Sequence, residues 1–208
     1  NEKHVLIRIN YFKHQKEYLP NMNLFSHFKY ILKKVMRLDS ESKIRRLVRS
    51  GLTIGNNFQV MGECIIDNSH CWHIIIGNNV TLAPRVHILA HDASTKIFLD
   101  FTKVKNVTIG NNVFIGAGSI ILPGVEIGDN VIIAAGSVIT HKIDSNCIVG
   151  GNPAKFLMTL NEYLEKCKAK MNPEHCFEKK YSIKNNPSSK MKSDMYLSAE
   201  KNGVCFIR

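Results

Sequence analysis

Histidine 91 stands where a regular sequence stops. Through Leu89 the chain carries an aliphatic residue at every sixth place, Ile76, Leu82 and Ile88; after Ala90-His91-Asp92 the beat lapses, resuming at Ile109. Imidazole changes protonation near neutral pH, so it can accept a proton from one reacting group and return it to another. His91, at the root of the irregular segment 92–106, is therefore the first candidate for acid–base chemistry. His87, inside the regular pattern, is its rival. Asp67 and Asn68 lie in a second, shorter irregularity, IIDNSHCWH, which also holds His70, His73 and the only tryptophan, Trp72. Trp72 offers either a flat platform for a sugar or a cover for the apolar interior.

A repeat of six residues must position these groups. From Ile109 the chain reads IGNNVF, IGAGSI, ILPGVE, IGDNVI, IAAGSV and ITHKID, each opening with Ile and carrying Val, Ser or Ile fifth. IGNNFQ (54–59), VMGECI (60–65), IGNNVT (76–81) and LAPRVH (82–87) follow the same plan upstream. The period is neither two nor 3.6. It suits one short strand and one tight turn, three units closing a triangular coil. First and fifth residues then point inward and stack in ladders on successive coils. Gly110-Asn111-Asn112 and Gly128-Asp129-Asn130 fall at corners that need positive φ or tight turns. A parallel β-helix is expected over 51–155, with loop 92–106 thrown out of it and Asp67–Asn68 roughly one coil before His91.

Residues 54–155 resemble the hexapeptide-repeat acyltransferases, and among them the sugar O-acetyltransferases of the galactoside/maltose type. The ending after GNPAK is similar to surface-polysaccharide O-acetyltransferases. The resemblance implies a mainly β fold on a left-handed β-helix, an exception to the usual right-handed crossover. It also implies transfer of an acetyl group from acetyl-CoA to a hydroxyl of a sugar or surface-polysaccharide precursor, with no metal required. A hydroxyl is a poor nucleophile while protonated, so a base is needed for direct attack on the thioester. By resemblance the histidine at the loop root, His91, is that base, and Asp67 or Asn68 holds the acceptor. The pantetheine arm is expected between subunits of a homotrimer, against Ala117 and Ala135, with Thr140 following and Lys155 meeting phosphate. Two positions depart from the family pattern: His141 stands where Lys is frequent and Met158 where some members have Arg, leaving Lys142 to supply the charge.

Two other functions fit parts of the pattern. N-acetylation of an amino sugar or antibiotic uses the same donor. A zinc enzyme of the γ-carbonic anhydrase type shares the β-helix and needs three converging histidines; His70, His73, His87 and His91 are available, but their spacing does not match.

The ends differ from the middle. Residues 1–50 hold 12 Lys/Arg against 4 Asp/Glu, residues 51–155 hold 6 against 7, and residues 156–208 hold 10 against 6. A nucleic-acid binder would place its charge on the folded platform, so no nucleic acid is expected. LFSHFKYILKKVMRL (24–38) reads as an amphipathic helix and DSESKIRRLVRSG as a second, together a basic N-terminal cap over 1–50. Such a cap closes an open solenoid end and suits peripheral contact with the inner membrane surface. Over 156–208 a helix is expected in FLMTLNEYLEKCKAKM, then a polar extension, partly extended over 185–203. Six scattered cysteines, no apolar run long enough to span a bilayer and no signal-peptide core in NEKHVLIRINYFKH make the cytoplasm the expected compartment.

Overall fold

Hydrogen bonds between corner asparagines measure the coil. Asn112 reaches Asn130 across 18 residues, while Asn57 reaches Asn79 across 22 and Asn79 reaches Asn112 across 33. One coil is thus four residues longer than the regular 18 and the next is fifteen longer. The structure, a computed structural model, describes residues 42–208. Residues 42–49 are helical (α1) and close a first unit that ends at Arg49; the second unit runs from Ser50 to Arg208. The basic helix expected at 24–38 lies outside the described residues.

The second unit opens with β1 (Thr53–Ile54), β2 (Gln59–Val60) and β3 (Ile65–Ile66), then β4 (Ile74–Ile76), β5 (Thr81–Leu82) and β6 (His87–Ile88). The long excursion holds β7 (His91–Asp92), the single turn α2 (Lys96–Leu99) and β8 (Lys103–Val104). Regular coils resume with β9 (Val107–Ile109), β10 (Phe114–Ile115) and β11 (Ile120–Ile121), then β12 (Glu126–Ile127), β13 (Ile132–Ile133) and β14 (Val138–Ile139). The strands stack into three parallel sheets, β1-β4-β9-β12, β2-β5-β10-β13-β15 and β3-β6-β11-β14, where β15 is Cys147–Gly151. The chain is a left-handed parallel β-helix of hexapeptide repeats. Both length irregularities leave at the same corner, where the chain passes from the third sheet to the first.

Ladders fill the prism as the repeat requires. Ile66, Ile88, Ile121 and Ile139 stack under the third sheet, and Ile76, Ile109 and Ile127 under the first, all buried. Each such side chain contributes about 1.5–3 kcal/mol over the exposed state. The fifth-place residues Val113, Ser119, Val125, Val131 and Ser137 are buried between them. The buried hydroxyls are not wasted: Ser137 donates to the Ala134 carbonyl and accepts the Gly151 N–H. The last unit, ITHKID, departs from the repeat. Ile143, its fifth residue, takes the leading place opposite Ile127, and Asn130 meets Asn146 across only 16 residues.

Asn57, Asn79, Asn112, Asn130 and Asn146 all have positive φ and pass side-chain hydrogen bonds along one corner. Asparagine tolerates this backbone, which costs other L-residues about 1–2 kcal/mol. Asn112→Ala should therefore lose about 1–2 kcal/mol in denaturant unfolding, and Asn112→Gly less, because glycine restores the backbone but not the ladder. Equal losses would show that φ is not the source.

The C-terminal part corrects two expectations. A helix was expected across 156–171, but Ala154–Thr159 forms β16, antiparallel to β15, and α3 covers Leu160–Lys170. The boundary is set by a capping box, in which Thr159 accepts the Glu162 N–H and the Glu162 carboxylate accepts the Thr159 N–H. The segment expected to be extended is instead the helix α4 (Ser189–Asn202), after β17 (Cys176–Phe177) and before β18 (Phe206–Ile207). Ser188 caps its start and Gly203, at φ 72°, closes its end. These signals lie in the sequence but carry little apolar periodicity to reveal them.

Candidate active site

The corner between the third and first sheets is where the chemistry-bearing residues gather. His91 leaves the prism on β7, which pairs antiparallel with β8, His91 opposite Val104 and Asp92 opposite Lys103. The Asp92–Lys103 ion pair, 2.6 Å, pins the root of the excursion. That ammonium, with the Ser94 hydroxyl and N–H, holds the Asp92 carboxyl well below the usual carboxylate range. The excursion is therefore anchored at its base, so His91 does not ride on a loose loop.

One coil earlier, Asp67 begins the shorter irregularity and turns its carboxylate inward, with no exposed side-chain surface. One oxygen accepts the N–H groups of Ser69 and His70 at 3.0 Å each. The other accepts Ala90 N–H at 2.9 Å, His91 N–H at 3.1 Å and the His91 ring at Nδ1, 2.5 Å. Burial pushes the Asp67 pKa up, but hydrogen bonds from Ala90, the His91 ring, His70 and Ser69 outweigh it and leave it below the ordinary value. A carboxylate only accepts, so the neutral His91 ring carries its proton on Nδ1 and keeps a lone pair at Nε2. The imidazole is about one-third exposed. The arrangement can fix a tautomer, orient the ring and stabilise it once it becomes an imidazolium.

This placement differs from the reading of Asp67 as an acceptor contact. Its oxygens are occupied by five donors, the His91 ring among them. Asn68 beside it is exposed at the corner. The partnership was missed because Asp67 and His91 are 24 residues apart, which equals no whole number of coils. His87 points outward from β6, half-buried and paired in register with Ile65 and Ile120.

The residues expected to meet the donor form two groups. Ala117 and Ala135 stack at the corner between the second and third sheets, where the Gly136 N–H meets the Ala117 carbonyl at 2.8 Å. Neighbouring Gly118 and Gly136, φ 70° and 71°, face open space that a side chain would enter without contact. Thr140 follows β14 at the corner of His91, two coils on, and its hydroxyl lies 3.1 Å from His141 Nδ1. Lys155 is exposed on β16 opposite Gly150, and Lys142 pairs with Glu126 at 3.2 Å. Within one chain, then, Thr140 shares the corner of His91, while Ala117 and Ala135 lie across the third sheet from it.

Asp67, His70 and His91 also bring potential ligand atoms within 4.8 Å of one another. That donor set fits a cation poorly. Both carboxylate oxygens are engaged by N–H groups, and an ion would have to displace the His91 ring from one of them. His73 Nδ1 is committed elsewhere, 2.7 Å from Asn106 Oδ1.

Residues 106–141 match the family described as bacterial transferase hexapeptide (six repeats). Protein CapG of Staphylococcus aureus is 45% identical over 140 residues, covering 65% of this chain and 80% of CapG. The chain belongs to the hexapeptide-repeat transferase family. It is an acetyltransferase of that family, also similar to the galactoside O-acetyltransferase of Escherichia coli, 31% identical over 117 residues. There the match covers 54% of the acetyltransferase and 56% of the relative, so the chain spans little more than half of that protein's length. A solved galactoside acetyltransferase in complex with coenzyme A superposes with a TM-score of 0.50 at 34% identity, over 56% of the acetyltransferase and 58% of that chain.

Proposed function

We propose that this acetyltransferase moves an acetyl group from acetyl-CoA to a hydroxyl of a sugar or surface-polysaccharide precursor, with His91 as general base. The observation that carries the reading is the buried Asp67 carboxylate on His91 Nδ1, at the root of the long excursion. It leaves Nε2 as the proton acceptor. As the hydroxyl oxygen attacks the thioester carbonyl, its proton passes to Nε2; the C–S bond then breaks and the proton goes on to the departing thiolate. Asp67 keeps the ring in place and balances the imidazolium charge between the two transfers.

The open glycine–alanine ledge at Ala117 and Ala135 suits a pantetheine arm laid against backbone, with Thr140 and Lys155 nearer its polar parts. Because that ledge and His91 lie at different corners, a groove joining them needs a neighbouring copy, and we infer a homotrimer. The exposed Ile97, Phe98, Leu99 and Phe101 of the excursion support this, since a second copy would cover them. Six scattered cysteines with no paired spacing favour a reducing cytoplasm. No helix among the described residues is long and apolar enough to cross a membrane; the basic 1–50 segment favours peripheral contact with the inner membrane surface.

Thiol release from acetyl-CoA tests the acceptor class. Methyl glycosides, oligosaccharides, free amino sugars and aminoglycosides would be compared, and saccharides lacking a free amine should stimulate release. Stimulation confined to free amines would instead assign N-acetylation. Sedimentation of the same preparation should show a trimer, and a fully active monomer would sink the shared groove.

A further inference from the structure

The irregular coil 67–73 does more than carry Asp67. Two successive coils bulge at one corner, the first by four residues and the second by fifteen. Asp67 is the hinge between them: one oxygen holds the first bulge through Ser69 and His70, and the other holds His91 at the start of the second. The far ends are also joined, through His73 and Asn106. Whatever side chains the first bulge displays are thus fixed relative to the base.

Those side chains are rings in series. His70 lies 4.9 Å from His91 between centroids, Trp72 lies 5.4 Å from His70, and His73 lies 5.9 Å from Trp72. Trp72 is 55% exposed. Its root is not loose, however. A Cβ added at Gly51, φ 108°, would stand 2.7 Å from Trp72 Cβ, so only glycine permits this approach. The residue is packed where it joins the backbone and bare at its face, in a row of rings that ends at His91.

Resting on the acyl-transfer reading above, we propose that Trp72 is the acceptor subsite, a stacking platform for the apolar face of a pyranose ring. A saccharide bound there is held by a ring face and directed by hydroxyl groups, a combination usual in sites lined by aromatic side chains with few polar contacts. From Trp72 it extends along His70 and presents a hydroxyl to Nε2 of His91. An amino acid or a small amine has no comparable face to lay on the indole.

Trp72 is the only tryptophan in the chain, so its emission reports on this position alone. Titrating the protein with maltose, methyl galactoside and N-acetylglucosamine should give a saturable change in emission for the saccharide that stimulates thiol release. Trp72→Ala should raise KM for that saccharide tenfold or more, with KM for acetyl-CoA within about threefold, and Trp72→Phe should recover part of the loss. If the saccharide is acetylated and both variants keep its KM, the platform is wrong while the acyl-transfer reading stands. If no saccharide is acetylated but free amines are, both fail together. A variant that lowers acceptor affinity only by dissociating the oligomer, seen by sedimentation, would make Trp72 an interface residue and overturn the proposal.

Discussion

Replacing His91 with alanine should lower kcat by about 10²–10⁴, the usual worth of a positioned acid–base group. The protein should remain folded, because the substitution removes only the ring. Asp67 keeps its hydrogen bonds from Ser69, His70, Ala90 and the backbone N–H of residue 91. KM for acetyl-CoA should change little, since in the proposed mechanism the imidazole acts on the acceptor proton and not on the donor. The acidic limb of the activity–pH profile should flatten, the group that must be neutral having gone. His87→Ala is the control: it removes a half-buried imidazole from the outer face of β6 and should retain most activity. Near-normal kcat in His91→Ala with a dead His87→Ala would move the base to His87. If both stay active, acid–base catalysis by histidine is wrong.

The sequence made the coil legible because burial in a narrow prism constrains every sixth residue. Ile109, Ile115, Ile121, Ile127, Ile133 and Ile139 are all buried as their spacing requires. His91 was legible for a related reason, as the residue at which a strict pattern fails. Asp67 was visible as a polar residue near the right level, but its partner was not. Two bulges of different length separate level from sequence distance, and only the folded corner shows that the carboxylate points inward. Helix α4 was missed because its stability signals are end caps, Ser188 and Gly203, on an element with no buried side chains. The irregular last coil at Ile143 is a two-residue shortening, 16 against 18, and a six-residue frame laid over ITHKID conceals it.

Asp67→Asn should prove more damaging than a change of one atom suggests. Each carboxylate oxygen faces only donors: Ser69 and His70 N–H on one side, Ala90 N–H, His91 N–H and the His91 ring on the other. Whichever way the amide turns, its NH₂ meets at least two N–H groups, and each buried donor left unpaired costs about 1–3 kcal/mol. A loss of about 2–4 kcal/mol in unfolding is expected. Activity should fall by about 10²–10⁴, since the amide no longer balances an imidazolium and can favour the wrong tautomer. The stability difference has a definite pH dependence. The folded pKa of Asp67 is depressed below 3.8, so its contribution is complete above that value and is lost as pH falls through the lower, folded one. The gap in Tm between wild type and Asp67→Asn should therefore be widest near neutral pH and narrow below pH 3.8. A folded Asp67→Asn protein with kcat within threefold of wild type would show that the carboxylate only braces the corner. A kcat loss matching that of His91→Ala, with no further loss in the double variant, would show that the two act as one unit.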